Sequence, residues 1–302
     1  MPSFVYLKTE RVVLDGAVTL RDGRTLAYAV WGSPDGAPIV YCHGSPGNRW
    51  EIKLPLGIIA NQGLAVRVVA LNRPGFGPST FLPQRSLLDW PADVTEVVDH
   101  LGIGRFAVLG ASGGGPYALA CGHELADRVT RIGLVVGGCP AQAPGMGGSL
   151  ALAGPPRNPL IRRIQYGLIA WAVRSGRVER VVDRAIETMG EADRAAMADP
   201  RLRGWLSELF AEAFVDGGRG AAYEHGLYLA DWGFLTSAVT QPTWLWYGGK
   251  DRNIPAEAGR WLADHLPNAH YSVWPEHGHF TWAISQDVIE VLATMAAAER
   301  GI

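Results

Sequence analysis

The chain has 302 residues, of which 48% are hydrophobic and 19% are charged, so it is long and apolar enough to bury a large core. This composition excludes disorder as the main state, because the apolar side chains can offset the entropy lost on ordering. The 27 basic and 29 acidic residues give a net charge of −2, without the basic excess of nucleic-acid or anionic-membrane binders. We therefore expect a globular protein whose partner is a small molecule, with no nucleic acid and no membrane.

The three cysteines, Cys42, Cys121 and Cys139, have neither disulfide-framework nor zinc-site spacing, which favours a reducing compartment. The first residues lack the basic and apolar regions of a signal peptide. No apolar run reaches the roughly 18 residues that a membrane-spanning helix needs. These features predict a cytoplasmic protein and leave its oligomeric state open between monomer and homodimer.

The chain begins with a predicted hairpin. Residues 12–14 precede a turn at Asp15-Gly16, and residues 18–20 precede a second turn at Asp22-Gly23. A strand over residues 25–31 completes the pair.

Beyond the hairpin, short apolar runs alternate with helical stretches, which is typical of a parallel sheet covered by helices on both faces. The predicted buried strands are residues 38–42, 66–71, 106–109, 132–136, 243–247 and 271–274. Helices are predicted near Trp50, along Val94 to Leu101, after Ser112, after Pro255 and near Ser285. The predicted fold class is therefore α/β.

The alternation stops between residues 140 and 240, where helical spacings continue without a convincing strand. Asp199-Pro200 and Gly217-Gly218 are predicted to interrupt these helices. The sequence thus predicts a core formed by residues 1–139 and 241–302. An all-helical segment at residues 140–240 is inserted between the sixth and seventh strands.

The sharpest functional motif is Gly-Ala-Ser-Gly-Gly at residues 110–114, between an apolar strand and a helix-like segment. At such a turn the hydroxyl of Ser112 is lifted clear of the sheet, and the flanking glycines avoid clashes with neighbouring backbone. The N-terminus of the following helix favours negative charge that develops at the serine. A glycine-rich turn without chemistry is the alternative, and the strand–turn–helix context favours a nucleophile.

A second motif, His-Gly-Ser-Pro-Gly at residues 43–47, follows another apolar strand. A loop of this kind can present a backbone N–H to a carbonyl oxygen that becomes an oxyanion during attack. Together with the N–H of Gly113, this donor would form an oxyanion hole. The alternative is an ordinary strand-to-helix turn, with His43 as a structural hydrogen-bonding residue.

A nucleophilic serine needs a base, and the base needs an acid that orients it. Asp251 follows the predicted strand at residues 243–247, and His277 and His279 follow the strand at residues 271–274. Ligands and chemistry collect at the carboxyl ends of the strands of open α/β sheets. These residues complete the candidates for a triad in the order Ser, Asp, His.

These ordered motifs resemble the α/β-hydrolase superfamily, and the resemblance covers residues 25–300. Further matches are the Asn-Arg-Pro-Gly-Phe-Gly-Pro-Ser run at residues 72–79 and the pair Ile254-Pro255. The resemblance implies an α/β-hydrolase fold with a variable cap at residues 140–240. Within the superfamily the chain is similar to capped serine esterases and to proline iminopeptidases.

The resemblance also implies roles for individual residues. The nucleophile would be Ser112, the acid Asp251 and the base His279, while the backbone N–H groups of Ser45 and Gly113 would bind the oxyanion.

Two further positions bear on this assignment. His277 competes with His279 for the role of base, but the family places this histidine after a glycine and before a small apolar or aromatic residue, which His279 matches. Asn72 stands where many relatives have an aspartate, at a position that is normally structural.

The implied reaction is hydrolysis of a small or medium apolar ester or related acyl compound, with no metal or organic cofactor. The nearest metal-like spacing, His277-x-His279, lacks a supporting carboxylate or thiolate cluster. The alternatives are a carbon–carbon bond hydrolase or biosynthetic tailoring enzyme with the same triad, and a ligand receptor that kept the fold. Haloalkane dehalogenases and most epoxide hydrolases of this fold use an aspartate nucleophile, so Ser112 argues against both.

The predicted cap adds two questions. An aminopeptidase would need an acidic pocket for the substrate amine, for which Glu208, Glu212 and Glu224 are candidates unless they form a solvated face. The aromatic residues of this region predict either an apolar pocket above Ser112 or a packed interface. These aromatic residues are Trp171, Trp205, Phe210, Phe214, Tyr223, Tyr228, Trp232 and Phe234.

Overall fold

The computed structural model describes residues 12–60, 62–146 and 158–297. Its strands are β1 (Val12–Thr19), β2 (Thr25–Gly32), β3 (Ala37–Cys42), β4 (Val66–Leu71), β5 (Phe106–Ala111), β6 (Val129–Val135), β7 (Thr243–Gly248) and β8 (Ala269–Trp274). They form one sheet in the order β1-β2-β4-β3-β5-β6-β7-β8. The pairs β1-β2 and β2-β4 are antiparallel, and the remaining neighbours are parallel.

The α-helices of the described residues are α1 (Lys53–Ile59), α2 (Trp90–His100), α3 (Gly115–Glu124), α4 (Pro159–Ala172), α5 (Val178–Thr188), α6 (Glu191–Ala196), α7 (Pro200–Ala213), α8 (Arg219–Leu229), α9 (Ala256–Asp264) and α10 (Val288–Ala296). None of these helices is long and apolar enough to span a bilayer. Helices α4 to α8 lie between β6 and β7 in the chain.

Successive side chains of the central strands enter two hydrophobic cores, one on each face of the sheet. In β3, Val40 packs in the core that includes α2, α3 and α9, whereas Ile39 and Tyr41 pack in the core that includes α10. Because both faces are buried, the central strands have continuous apolar sequences rather than alternating ones. The predicted α/β class, with a mostly parallel sheet covered on both faces, is confirmed.

The predicted turn at Asp15-Gly16 is wrong. β1 continues through both residues, and Gly16 pairs with Tyr28 of β2. A Cβ on Gly16 would lie 3.1 Å from the Tyr28 ring, so the glycine makes room for an aromatic neighbour rather than for a turn. The chain reverses at the second predicted site, Asp22-Gly23.

β8 is a strand as predicted, but the prediction that it is buried is wrong. It is the outermost strand, with a hydrogen-bonded neighbour only in β7. Of its side chains only Trp274 is buried. An edge strand has a neighbouring strand on one side only, and the local sequence of β8 does not reveal that it holds this position.

The described residues between β6 and β7 form five α-helices and no strand, as the sequence predicts. The side chain of Asn158 accepts the N–H groups that begin α4, and Asp199 caps α7 in the same way. Gly218 precedes α8. The two predicted interruptions therefore coincide with helix starts, while residues 147–157 of the predicted cap lie outside the described residues.

Candidate active site

Ser112 stands at the sharp turn between β5 and α3. Its φ angle is +49°, in the left-handed region that a residue with a side chain adopts only under constraint. The turn has no room for larger neighbours: a Cβ on Gly110 would lie 2.6 Å from the carbonyl oxygen of Gly114, and a Cβ on Gly114 would overlap the carbonyl of Cys42. One helical turn, Ser112–Gly114, leads into α3, so the hydroxyl lies near a helix N-terminus.

Three side chains from three loops form a hydrogen-bonded chain at the carboxyl edge of the sheet. His279 Nε2 lies 2.8 Å from Ser112 Oγ, and His279 Nδ1 lies 2.7 Å from Asp251 Oδ2. The other oxygen of Asp251 accepts the N–H groups of Asn253 and Ile254 at 2.7 and 3.0 Å. Asp251 is therefore held by its own loop, which fixes the ring of His279 with Nε2 toward the serine.

His279 is 4% exposed, and its surroundings favour the protonated ring. Burial alone would lower the pKa of His279. The charge and hydrogen bond of Asp251, followed by the charges of Asp193 and Glu51, raise that pKa above its usual value. An imidazole that takes a proton from Ser112 becomes an imidazolium, which these carboxylates stabilise.

The two residues expected to bind an oxyanion lie side by side. A Cβ on Gly113 would lie 2.9 Å from the Cβ of Ser45. The loop that carries Ser45 is fixed by Arg73, whose guanidinium donates to the carbonyl oxygens of His43 and Gly44. His43 accepts the Arg73 N–H at Nε2, and burial followed by the charge of Arg73 lowers its pKa well below the usual value. A neutral His43 thus braces the loop.

Glu51 belongs to this site although the sequence reasoning missed it. It is 5% exposed and lines the cavity beside the serine. Its carboxylate accepts the Gly44 N–H at 2.9 Å and the Tyr41 hydroxyl at 2.7 Å. Burial raises the pKa of Glu51 to about 7, while the Tyr41 and Gly44 hydrogen bonds counter the rise. The sequence feature that could have identified Glu51 is its position close after the His-Gly-Ser-Pro-Gly motif.

Two further contacts, which the sequence reasoning did not anticipate, join the inserted helices to the loops of Gly113 and His279. The Tyr228 hydroxyl of α8 donates to the Gly113 carbonyl at 3.0 Å. The carboxylate of Asp193, on α6, accepts the Phe280 N–H at 2.8 Å. No local sequence pattern identifies such contacts, because they arise only when distant helices pack on the loops.

A cavity of about 260 Å³ lies above Ser112, between the sheet edge and helices α4, α7 and α8. Its wall is mainly apolar, and neither Lys nor Arg is among the described residues that line it. The predicted aromatic residues that line it are Trp205, Phe210 and Tyr228. Those that lie elsewhere are Trp171, Phe214, Tyr223, Trp232 and Phe234. The inserted region therefore uses its aromatic residues both in the cavity wall and away from it.

His277 and Asn72 have partners away from the serine. His277 Nε2 lies 3.1 Å from Asp287 Oδ2. Asn72 is fully buried, and its side-chain oxygen accepts the Arg49 N–H at 2.6 Å. Among residues 12–60, 62–146 and 158–297, no group of three or more His, Cys, Asp or Glu side chains has a metal-binding arrangement.

The three glutamates considered for amine binding do not line the cavity. Glu224 is fully buried and pairs with Arg73 at 2.6 Å. Glu212 forms an ion pair with Arg49, and Glu208 lies largely exposed on α7. These residues therefore do not form the acidic pocket that an aminopeptidase would need.

Comparison with known proteins agrees with this fold. The Dihydrolipoyllysine-residue acetyltransferase component of acetoin cleaving system of Pseudomonas putida is 30% identical over 269 residues, which cover 85% of this chain and 62% of that protein. The 2-hydroxy-6-oxononadienedioate/2-hydroxy-6-oxononatrienedioate hydrolase of Burkholderia vietnamiensis is 28% identical over 254 residues, or 81% of each chain.

A solved structure of a thermophilic esterase from Thermogutta terrifontis superimposes with a TM-score of 0.69 at 20% identity, covering 94% of this chain and 100% of that one. At this identity the likeness shows a shared fold. The sequence profile described as "Alpha/beta hydrolase family" matches residues 39–293, which include the serine turn and the Asp251 and His279 loops. The chain therefore belongs to the α/β-hydrolase family.

Proposed function

We propose that this protein is a serine hydrolase that cleaves a small or medium apolar ester through an acyl-enzyme on Ser112. The observation that carries the proposal is the hydrogen-bonded chain from Ser112 through His279 to Asp251, at 2.8 and 2.7 Å. A serine hydroxyl is a weak nucleophile near neutral pH, and an imidazole oriented by a carboxylate removes its proton during attack.

In the proposed first step, Ser112 Oγ bonds to the acyl carbon while its proton passes to His279 Nε2. The N–H groups of Ser45 and Gly113 bind the oxyanion that forms. His279 then protonates the leaving alcohol, and the ester carbon–oxygen bond breaks. Water, deprotonated by His279, attacks the acyl-enzyme, so the acid departs and Ser112 regains its proton. No metal or organic cofactor takes part in this scheme.

We further propose that residues 140–240 form a cap over a core of residues 1–139 and 241–302. The support comes from the cavity wall, to which α7 contributes Trp205 and α8 contributes Tyr228. In this arrangement the core supplies the reacting groups, and the cap supplies much of the surface that selects the substrate.

An uncharged substrate fits the cavity best. The volume of about 260 Å³ lies near the lower end of small-molecule sites, and the wall is mainly apolar. Glu51 carries the one carboxyl group among the described residues that line the wall. An anionic substrate would meet this group without a described Lys or Arg to balance it, so its desolvation would be costly.

A carbon–carbon bond hydrolase or biosynthetic tailoring enzyme is the second candidate. The relative from Burkholderia vietnamiensis, named for a dienedioate and a trienedioate, aligns over 81% of each chain and supports this alternative. Each of these dioates carries two carboxylates, for which the described cavity wall offers no cation. Product analysis with vinylogous diketones against simple esters separates the two reactions.

The proposed nucleophile is tested by intact-mass measurement after fluorophosphonate treatment. We expect one adduct on the wild type and none on Ser112→Ala. Ser45→Ala is the matched control, because the scheme uses the backbone N–H of Ser45 and not its hydroxyl, so this variant still labels. A folded wild type without an adduct contradicts the proposal. Adduct formation together with ligand retention and no turnover of esters or diketones favours the receptor alternative.

A further inference from the structure

Asp193 contacts the backbone on both sides of His279. It lies on α6 and is 2% exposed. Its Oδ1 accepts the N–H of Phe280, the next residue, at 2.8 Å. The same carboxylate packs against Gly278, the preceding residue, where a Cβ would overlap it. The loop that presents the imidazole is thus hydrogen-bonded to a helix residue that lies 87 positions before Phe280 in the chain.

The Asp193 side chain is buried, and its hydrogen bond to Phe280 is partly buried. Without the carboxylate, the Phe280 N–H would lose its protein acceptor at a partly buried position, which is costly for a backbone donor. Since Phe280 directly follows His279, a shift of this peptide also moves the imidazole. The separation of His279 Nε2 and Ser112 Oγ, 2.8 Å, is the distance that such a shift would change.

The carboxylates that face His279 come from three elements. Asp251 follows β7, Glu51 follows β3, and Asp193 belongs to α6; all three raise the pKa of the imidazole. A cationic side chain also lies next to α6: Arg252 packs against Gly190, which directly precedes this helix. The negative charge of Asp193 therefore acts on the same ring that its hydrogen bond positions.

We propose that Asp193 is a positioning residue for His279: its carboxylate holds the loop that presents this ring to Ser112 and places a negative charge near it. The inference rests on the proposed function, because it assigns to Asp193 an effect on the base of that reaction. It also makes α6 a fixed part of the machinery rather than a lid that lifts away from it.

The test uses the full-length variants Asp193→Ala and Asp193→Asn, with Glu191→Gln as an exposed acidic control on the same helix. The readouts are the rate constant of fluorophosphonate labelling and kcat/KM for an ester, both measured between about pH 5 and 9 across the titration range of histidine. We expect Asp193→Ala to lower both about tenfold to a hundredfold, because the base loses its alignment. Asp193→Asn, which keeps one acceptor oxygen, loses less.

The pH profile distinguishes an effect of Asp193 on His279 from a general loss of loop stability. Both Asp193 variants should move the acid limb to lower pH by about half a unit to one unit, since a negative charge near His279 is removed. Glu191→Gln should leave the rate and the limb unchanged. Circular dichroism confirms folding, and Asp193→Asn carries the test if Asp193→Ala does not fold.

An unshifted limb in folded Asp193→Asn overturns the inference, whether or not the rate falls, because a structural anchor alone would not move it. In that case the wild type still labels at Ser112 and the proposed function stands. A folded wild type that does not label overturns both.

Discussion

Two histidines on one short loop have different surroundings. His279 lies between Ser112 and Asp251, whereas His277 pairs with Asp287 at 3.1 Å. Both are held by an aspartate, but only His279 also reaches the serine. His277 is therefore a control, on the same loop, for the role proposed for His279.

Replacing each histidine by glutamine tests this difference. Glutamine keeps much of the hydrogen-bonding capacity but cannot pass a proton, so His279→Gln should lower kcat about 10³-fold to 10⁴-fold. His277→Gln should keep kcat within about threefold, as for a change outside the reacting groups. Ester turnover with each purified variant measures both effects. A large loss in His277→Gln with little loss in His279→Gln contradicts the assignment.

The raised pKa of His279 predicts the direction of the pH dependence. In the proposed reaction His279 acts as a neutral ring, so kcat/KM should fall as the pH drops through a value above 6.5. For stability the sign is opposite: protonated His279 favours the fold below its unfolded-state pKa, and this contribution disappears as the pH rises through the folded-state value.

A kcat/KM profile against pH measures this limb. Glu51, with a pKa of about 7, titrates in the same range, so Glu51→Gln should leave a profile closer to a single ionisation. Removing the Glu51 charge should also move the limb to lower pH. An acid limb below 6.5 in the wild type would count against the raised pKa.

At the scale of elements, the central strands could be predicted because a parallel strand buried on both faces has a continuous apolar sequence. The turn at Asp15-Gly16 and the burial of β8 could not be predicted correctly in the same way. Gly16 serves the packing of Tyr28, and the exposure of β8 depends on its place at the sheet edge. Both are consequences of neighbours that are distant in sequence.

The glycines around the serine turn give a stability prediction. In Gly114→Ala the added methyl would overlap the Cys42 carbonyl, so we expect a loss of about 1–3 kcal/mol in the free energy of unfolding, together with slower labelling of Ser112. Gly204→Ala, in the middle of α7, is the control. A Cβ there meets no atom within 4 Å, so it should stabilise the protein by about 0.5–1 kcal/mol.

Urea unfolding of both glycine variants checks this prediction. If Gly114→Ala were as stable as the wild type and labelled at the same rate, the turn would have to be looser than its geometry indicates.

At the scale of the whole molecule, a buried ion pair joins the inserted helices to the core. Arg73 and Glu224 have fully buried side chains and lie 2.6 Å apart. Burial alone would raise the pKa of Glu224, but Arg73, with help from Arg85, lowers it to about 2. The stability that this ionisation contributes is present above the unfolded-state pKa and is lost as the pH falls toward about 2.

Breaking this pair from the helical side should destabilise the protein strongly. We expect Glu224→Ala to lower the free energy of unfolding by about 3–5 kcal/mol, because Arg73 is left buried without its counter-ion. Asp183→Ala, which breaks an exposed pair with Arg203, should cost no more than about 1 kcal/mol. Denaturant titrations compare the two, and equal losses would contradict the difference in burial.

The candidate site divides in the same way as the fold. The location of Ser112, Asp251 and His279 at one edge of the sheet could be predicted because each follows a strand that ends there. The contacts of Asp193 and Tyr228 with the loops at this edge could not be, because they form only through the packing of α6 and α8. A strand end can be identified from local sequence, whereas the face that a helix presents to a distant loop cannot.

The contacts between the inserted helices and the loops of the proposed active site limit how new specificities can be engineered. Asp193, Tyr228 and Glu224 each reach a loop that carries or braces a reacting group. A chimera that receives these helices from a relative would exchange the hydrogen bonds and the ion pair that hold the loops, together with the cavity wall. Substitutions at Leu206 and Phe210, which line the cavity, alter its shape and leave the contacts of all three residues in place. Libraries of point substitutions at cavity-lining residues are therefore a sounder route to a new substrate than recombination of whole segments.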